Sequence, residues 1–290
     1  MAEGQPVMHK PTSLERTIYF EVIEDFRTLH YGIQDKLIQE LHCLYGPVFD
    51  FSEEYLARLF THPKATTCIV ILGRELDSSQ LVASCIIMPF FFEHIENDHR
   101  PQNQFLSGHG ILCVAEKYRI NKLAWVIGDI TEEVLWTLYP NTNIIEFGFM
   151  VSPLSFYAAA VRSKLAMPDG KAQKNPKIHQ LFEKLKTIVP TRSKKVGDNP
   201  YVHQIFPPVK NDLDLIFENL DRLPRVMKYF VNETGLTPGY GLMAMQISQL
   251  VEGNTLELPA GQYITPKAKF KGQIRYLQGS LTRNKYIPKL

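Results

Sequence analysis

The chain has 290 residues, a length that fits one large domain or two smaller ones. Its 44% hydrophobic and 21% charged residues are typical of a folded globular protein and exclude a disordered, fibrous or repeat chain. The formal net charge of +2 is close to neutral, so the chain has no general attraction to nucleic acid or membrane surfaces.

Cysteine use and the N-terminus suggest a cellular compartment. The four cysteines lie in apolar runs without a CxxC pair, so we expect buried, reduced thiols at Cys43, Cys68, Cys85 and Cys113. Residues 1–11 lack the apolar segment of a signal peptide, and no run approaches the ~18 apolar residues of a membrane span. A cytoplasmic location, which includes a host cytoplasm, is therefore expected.

The first half of the chain alternates between strand and helix patterns. Period-two alternation or β-branched runs predict strands at residues 17–24, 66–72, 81–92, 108–115 and 143–151. Apolar residues at helical spacing predict helices at residues 31–45 and 118–139. A Ser52 N-cap before acidic residues predicts a helix at 53–60, and an alanine-rich run that opens on a proline predicts one at 153–166. Residues 93–103 are polar and are expected to form a loop. The predicted element order is βααβββαβα.

The second half is less regular. A helix is predicted at 177–188, and a lysine-rich linker without periodicity follows at 190–200. Beyond it we expect helices at 213–231 around Pro224 and at 242–251, and strands over 255–290. These patterns predict a first unit at 12–168, a connection at 169–200 and a second unit at 201–290.

The strongest chemical signal lies where the strand predicted at 108–115 leads into the long helix. This geometry directs free backbone N–H groups and the positive end of the helix dipole at one point. Lys117, Arg119 and Lys122 add charged donors there, which favours a phosphate site without a glycine-rich loop. Just upstream, the amides of Ile111 and Leu112 would bind an oxyanion if a bulge opened the strand.

Basic residues that merely cap a surface helix would leave the same pattern at this turn. The element order, however, is that of the coenzyme A-dependent N-acetyltransferase (GNAT) superfamily, in which this turn holds the coenzyme A pyrophosphate. The resemblance implies a GNAT-like α+β fold, with a mixed, mostly antiparallel sheet flanked by helices. Order and basic turn together favour the phosphate site.

A closer resemblance covers about residues 31–166. The segment 112–124 (LCVAEKYRINKLA) resembles the signature of the glycylpeptide N-myristoyltransferase family, written there as L-C-V-H-K-K-L-R-S-K-R-L-A. The shared positions are Leu112, Cys113, Val114, Lys117, Arg119, Leu123 and Ala124. Segments 48–60 and 80–89 resemble further parts of that family in register, and 145–164 does so loosely.

That family has two acyltransferase units in tandem, the first binding myristoyl-CoA and the second forming much of the peptide groove. Residues 226–238 resemble the start of the second unit, but much of that unit has no counterpart here. The resemblance therefore implies a shortened or degenerate second unit.

The resemblance also implies roles for particular residues. The backbone amides of Ile111 and Leu112 would form the oxyanion hole. The phosphates of acyl-CoA would lie against Cys113, Val114, Lys117, Arg119, Ile120, Asn121, Lys122, Leu123 and Ala124. Ile120 and Asn121 stand where the family has a serine and a basic residue. The base that accepts the amine proton is the C-terminal carboxylate in the family, which corresponds to Leu290.

Other residues are further candidates for a base, a metal site or a partner-binding surface. Further candidates for the base are His109, Glu146 and Glu116, of which the first two lie on neighbouring predicted strands. His94 and His99 resemble a metal cluster in composition alone, and no metal is expected. The basic residues over 258–290 fit either an acidic partner or a solvated strand face, and nucleic acid is not the expected partner.

Three functions follow in order of preference. The first is direct transfer of a fatty acyl group, myristoyl by analogy, from acyl-CoA to an amine such as an N-terminal glycine. The second is a catalytically degenerate GNAT-fold protein that serves as an acyl-binding or protein-interaction scaffold. The third is an acetyl-CoA-dependent N-acetyltransferase. Expected partners are acyl-CoA, as co-substrate, and a peptide or protein N-terminus.

Overall fold

A computed structural model describes residues 17–95, 99–121, 123–162, 166–168, 175–188, 193–205, 223–262, 272–278 and 281–283. Its strands are β1 (Ile18–Ile23), β2 (Ile69–Glu75), β3 (Leu81–Glu93), β4 (Gln104–Val114), β5 (Asn143–Met150), β6 (Ala166–Met167), β7 (Ser193–Lys195), β8 (Val202–Ile205), β9 (Tyr240–Leu250), β10 (Gly261–Gln262), β11 (Ile274–Gln278) and β12 (Leu281–Arg283). Its α-helices are α1 (Tyr31–Tyr45), α2 (Glu53–Phe60), α3 (Leu123–Leu138), α4 (Pro153–Arg162), α5 (Pro176–Ile188) and α6 (Arg225–Thr234).

All these strands belong to one sheet. Its main path runs β12-β11-β1-β2-β3-β4-β5-β9-β8-β7, and β6 and β10 pair with β9. Within the described residues, β1 with β11 and β4 with β5 are the parallel pairs, and the other pairs are antiparallel. The predicted mixed, mostly antiparallel sheet flanked by helices is confirmed, as is the order βααβββαβα through α4.

Helices cover both faces of the sheet because successive strand residues point to opposite sides. On β2, Ile71 packs under α3, whereas Val70 and Leu72 pack under α1 and α2. A third cluster joins α4, α5 and α6 to β5 and β9, through Phe156, Phe182, Phe230 and their neighbours. The strands between these layers are therefore buried on both faces.

Local signals place several helix ends where the sequence predicts them. Ser52 caps α2, its Oγ accepting a hydrogen bond from the Tyr55 N–H at 3.1 Å. The helix predicted at 118–139 is divided: a 3-10 helix occupies Glu116–Asn121 and α3 begins at Leu123. The strand predicted to begin at 108 starts four residues earlier, because β4 pairs with β3 from Gln104 onwards.

The helix predicted at 242–251 is wrong, because these residues form most of the central strand β9. Ten consecutive residues, 241–250, are buried, since β9 lies between β5 and β8 and carries helices on its faces. A short apolar run that is buried on both faces has no period to distinguish strand from helix. The predicted helix over 213–231 corresponds in part to α6, and positions 213–222 lie outside the described residues.

Strands from the expected second unit complete the sheet of the first. β9 pairs with β5 from Ile144–Gln249 to Met150–Leu242, and β11 pairs with β1 in parallel. The boundaries at 168 and 200 stay a prediction. What the structure adds is direct backbone pairing between residues of the range 12–168 and residues of the range 201–290.

Three of the four cysteines are buried as expected, with free thiols at Cys68, Cys85 and Cys113. Burial raises the pKa of the Cys68 and Cys113 thiols to about 12. The expectation of burial is wrong for Cys43, which lies on the solvent-facing side of α1. In the described part of the chain, no helix is long and apolar enough to cross a bilayer.

Candidate functional site

The candidate site begins where β4 and β5 part. These parallel strands pair from Phe105–Asn143 to Gly108–Glu146. Beyond that point β4 stays paired with β3 as far as Val114, while β5 continues along β9. Residues 109–114 of β4 therefore face an opening between the two strands, which we call the strand gap.

The hydrogen-bond phase of β4 decides which amides face the strand gap. The Ala115 N–H donates to the Val82 carbonyl oxygen at 2.8 Å, in line with the register of β3 and β4. Alternate residues of an antiparallel strand bond to the same neighbour, so Cys113 and Ile111 also direct their N–H groups at β3. The N–H of Leu112 points the other way, into the strand gap.

The strand opens by a different route from the bulge considered in the sequence analysis. The register between β3 and β4 is continuous from Ala83–Val114 to Glu93–Gln104, without a shift. Divergence from β5 exposes the Leu112 amide, and the Ile111 amide faces the β3 ladder. The role of both amides in an oxyanion hole stays a prediction, and the geometry favours that of Leu112.

The predicted phosphate turn follows directly. The 3-10 helix Glu116–Asn121 connects β4 to α3, whose N-terminus is the positive end of the helix dipole. Arg119 is exposed, and its Nε donates to the Val114 carbonyl oxygen at 3.2 Å. This bond holds the guanidinium beside the end of β4.

A carboxylate that the sequence analysis did not consider lies at this turn. Glu75, the last residue of β2, accepts hydrogen bonds from Lys117 Nζ and from the Tyr118 hydroxyl, each at 2.6 Å. The bonds from Lys117, Ser78 and Tyr118 lower the pKa of Glu75 to about 2. The carboxylate is therefore charged at neutral pH and offsets the charge of Lys117 next to the predicted phosphate site.

The remaining predicted phosphate residues differ in what they can contribute. Cys113, Val114 and Leu123 are buried in the core, so only their backbone is available to a ligand. Ala124 is half-buried. The backbones of Ile120 and Asn121 belong to the 3-10 helix, whereas Lys122 lies outside the described residues.

Among the candidate bases, Glu146 is adjacent to the strand gap. It occupies the last position at which β4 and β5 pair, and its Cγ would lie 3.7 Å from a Cβ placed on Gly108. His109 follows on β4, where its backbone alone is described. Glu116 is exposed at the start of the turn, and Leu290 lies outside the described residues.

Two further features escaped the sequence analysis. Glu132 on α3 is buried and accepts a hydrogen bond from the hydroxyl of Ser248 on β9, which itself accepts one from Trp136 Nε1 at 3.1 Å. Tyr45, the last residue of α1, donates to the Ile111 carbonyl oxygen at 2.9 Å. The sequence does give a signal for Glu132, which stands between the apolar positions of α3. It gives no signal for the hydrogen bond between Tyr45 and Ile111.

No metal centre emerges from the described residues, in which no group of three or more histidine, cysteine or acidic side chains converges. His99 Nδ1 contacts the Glu93 carboxylate, and burial lowers the pKa of His94. Asp98, the acidic residue next to His99 in sequence, lies outside the described residues.

Part of this chain is similar in structure to solved proteins with which it shares little sequence identity. No protein-family model matches the chain, and no curated protein matches it. The N-acetyltransferase YhbS from Escherichia coli, in complex with CoA, is 15% identical, with 49% of this chain and 73% of that chain covered and a TM-score of 0.33.

Two Arabidopsis thaliana structures also match. NAA60 in complex with a bisubstrate analogue is 14% identical, covering 52% of this chain and 86% of that chain with a TM-score of 0.32. Glucosamine-6-phosphate N-acetyltransferase is 13% identical, covering 44% of this chain and 80% of that chain with a TM-score of 0.28. None of these three is an N-myristoyltransferase.

Proposed function

We propose that the protein is an N-acyltransferase that transfers a fatty acyl group, myristoyl by analogy, from acyl-CoA to an amine such as an N-terminal glycine. The observation that carries the proposal is the strand gap. It combines a Leu112 N–H that faces the strand gap with the N-terminus of α3, which follows β4 after the 3-10 helix Glu116–Asn121. A donor for the oxyanion and a site for the phosphates of acyl-CoA therefore follow one another along the chain.

In the proposed reaction, a neutral amine attacks the thioester carbonyl. A C–N bond forms, the carbonyl oxygen becomes an oxyanion, and the C–S bond then breaks to release the coenzyme A thiolate. A backbone N–H aimed at the oxyanion stabilises the transition state without covalent chemistry or metal. Leu112 has this role in the proposal.

The nitrogen gives up two protons: one before attack, because an ammonium cannot attack, and one when the tetrahedral intermediate collapses to the amide. Glu146 lies at the closed end of the strand gap and is the proposed base among the described side chains. The released thiolate takes up the second proton, and the first passes to solvent.

The phosphates of acyl-CoA are assigned to the turn between β4 and α3. The helix dipole favours an anion at the N-terminus of α3, and Arg119 is an exposed cation in the turn that precedes it. Lys122 has the same proposed role, by sequence position. Exposed leucines on β4 and at the start of α4, Leu112 and Leu154, support an apolar acyl group.

One observation favours a second function, a degenerate acyl-binding or interaction scaffold. Lys117 is paired with Glu75, although the family resemblance assigns this lysine to phosphate binding. A carboxylate at that point repels an anion and lowers affinity for coenzyme A. Under this alternative, the fold binds a ligand or partner without transferring an acyl group.

Calorimetric titration with acetyl-CoA, myristoyl-CoA and free myristate, followed by an acyl-transfer assay on glycine-starting peptides, tests the proposal. We expect binding and turnover with myristoyl-CoA. Binding without turnover would support the scaffold, and turnover with acetyl-CoA alone would support the N-acetyltransferase. Lack of binding to either coenzyme A ester would overturn the proposed acyl-CoA site.

Charge reversal at the turn tests the position of the phosphate site. The double change Arg119→Glu with Lys122→Glu should abolish coenzyme A binding, because it replaces two attractive charges by two repulsive ones. The matched control is Lys194→Glu with Lys195→Glu, two exposed cations on the edge strand β7. Equal loss of affinity in both double variants would contradict the assigned site.

A further inference from the structure

The hydroxyl of Tyr45 lies beneath the middle of β4. The side chain is fully buried, and its hydroxyl is 2.9 Å from the Ile111 carbonyl oxygen and 3.4 Å from that of Ser84. A phenol has one O–H donor, so the shorter contact identifies Ile111 as its acceptor. A hydroxyl from α1 thus bonds to the strand that borders the strand gap.

The surrounding core keeps this hydroxyl in place. The Tyr45 ring lies 5.9 Å from the ring of Phe51 in a stacked arrangement, and 5.7 Å from that of Phe49. Burial raises the pKa of the Tyr45 hydroxyl well above its usual value, so it keeps its proton at neutral pH. It is a permanent donor with a fixed direction.

The acceptor belongs to the same peptide group as the candidate oxyanion donor. The carbonyl of Ile111 and the N–H of Leu112 share one planar trans peptide, in which C=O and N–H point in opposite directions. The carbonyl faces β3 and Tyr45, and the N–H faces the strand gap. A hydrogen bond to the Ile111 carbonyl oxygen therefore affects the Leu112 N–H.

Hydrogen bonds that share a peptide group strengthen one another. In the register of β3 and β4, the Ile111 carbonyl already accepts from the ladder, and Tyr45 supplies a second donor. Charge drawn toward the oxygen makes the amide hydrogen more positive. The same two bonds fix the plane of the peptide, and hence the direction of the Leu112 N–H.

We propose that Tyr45 is a positioning residue for acyl transfer, which polarises and orients the Ile111–Leu112 peptide so that the Leu112 N–H stabilises the oxyanion. This inference rests on the proposed function. Tyr45 touches no reacting atom and acts only through the peptide. Its contribution therefore grows as negative charge develops on the thioester oxygen.

A structural role predicts a different outcome, since Tyr45 also satisfies a buried polar group. Loss of packing would lower stability and alter activity only through the amount of folded protein. Loss of oxyanion stabilisation would lower kcat for folded enzyme and leave the KM for acyl-CoA unchanged, because the ground-state thioester gains little from the donor.

The test compares Tyr45→Phe with Val48→Ala. The first change removes the hydroxyl and keeps the ring, while the second removes methyl groups from the same core cluster and keeps the hydroxyl. Steady-state kinetics with acyl-CoA and the acceptor found for the wild type give kcat and KM. The amide proton shift of Leu112, read by NMR, and thermal unfolding complete the comparison.

For Tyr45→Phe we expect kcat to fall about three- to tenfold with unchanged KM for acyl-CoA, a fraction of the full effect of an oxyanion donor. The Leu112 amide proton should move upfield. Val48→Ala should leave kcat and the Leu112 amide proton shift at their wild-type values, although this variant is less stable. Unchanged kcat and amide shift in Tyr45→Phe would overturn the inference, whereas a wild type without turnover would overturn the proposed function beneath it.

Discussion

Glu75 shows how one residue can set the properties of the phosphate turn. Its carboxylate receives three side-chain donors, from Ser78, Lys117 and Tyr118. The bonds fasten the end of β2 to the turn, which stabilises its backbone. The same negative charge lies against Lys117 of the turn to which phosphate binding is assigned. Glu75 therefore stabilises the backbone of the proposed site and repels the anion that would bind there.

At the residue scale we predict that Glu75→Gln strengthens coenzyme A binding about three- to tenfold at low salt, because it removes a like charge and releases Lys117. Calorimetric titration at two salt concentrations measures the change, which should shrink at high salt. Glu54→Gln is the matched control, since Glu54 pairs with Arg58 on the surface of α2. Equal affinities in Glu75→Gln and wild type would contradict the prediction.

At the scale of elements, α3 carries the proposed anion site and is held on the sheet by two kinds of contact. Leu123, Ile127, Ile130 and Val134 form an apolar stripe over the strands. Towards β9, the carboxylate of Glu132 accepts the Ser248 hydroxyl, and both residues are buried. Because a buried carboxylate needs its donors, this contact fixes where α3 lies against β9.

Ser248→Ala should destabilise the fold by about 2–4 kcal/mol, since it leaves the Glu132 carboxylate and the Trp136 N–H without this buried partner. Chemical denaturation, with the free energy of unfolding extrapolated to water, measures the loss. The control is Thr137→Ala, which removes an exposed hydroxyl bond to the Glu133 carbonyl on the same helix. A loss no larger than that of the control would show that the contact contributes little.

At the scale of the whole molecule, the sheet joins the two ends of the sequence. β9 supplies the antiparallel neighbour of β5, and β11 covers the edge of β1. The first half, left by itself, would expose the apolar edge of β5 and the faces that α5 and α6 cover. The element order of the first half therefore describes a unit that needs later strands to bury its core.

A shortened chain that ends after residue 200 should consequently lack a cooperative thermal transition and near-ultraviolet circular dichroism. A chain that ends after residue 262 retains β9 and should unfold cooperatively at a lower temperature than the full chain, because it loses β11 beside β1. Cooperative unfolding of the shorter chain would instead support an independent first unit within 12–168.

The sequence by itself determined the elements whose patterns are local. Alternation, helical spacing and the Ser52 cap located the strands and helices of the first half, and the basic segment 112–124 placed the candidate phosphate turn. Each of these signals lies within a short stretch of chain, so no distant partner is needed to interpret it. The resemblance in residues 31–166 added a chemical hypothesis to that pattern.

Only the tertiary structure decided matters that depend on residues far apart in sequence. Central burial made β9 a strand, although its apolar run fits a helix equally well. Divergence from β5 exposed the Leu112 amide, which the hydrogen-bond phase of β4 directs into the strand gap. Tyr45 and Glu75 reach Ile111 and Lys117 across long stretches of chain. Such contacts arise from packing, and packing is set by the whole sheet rather than by any local pattern.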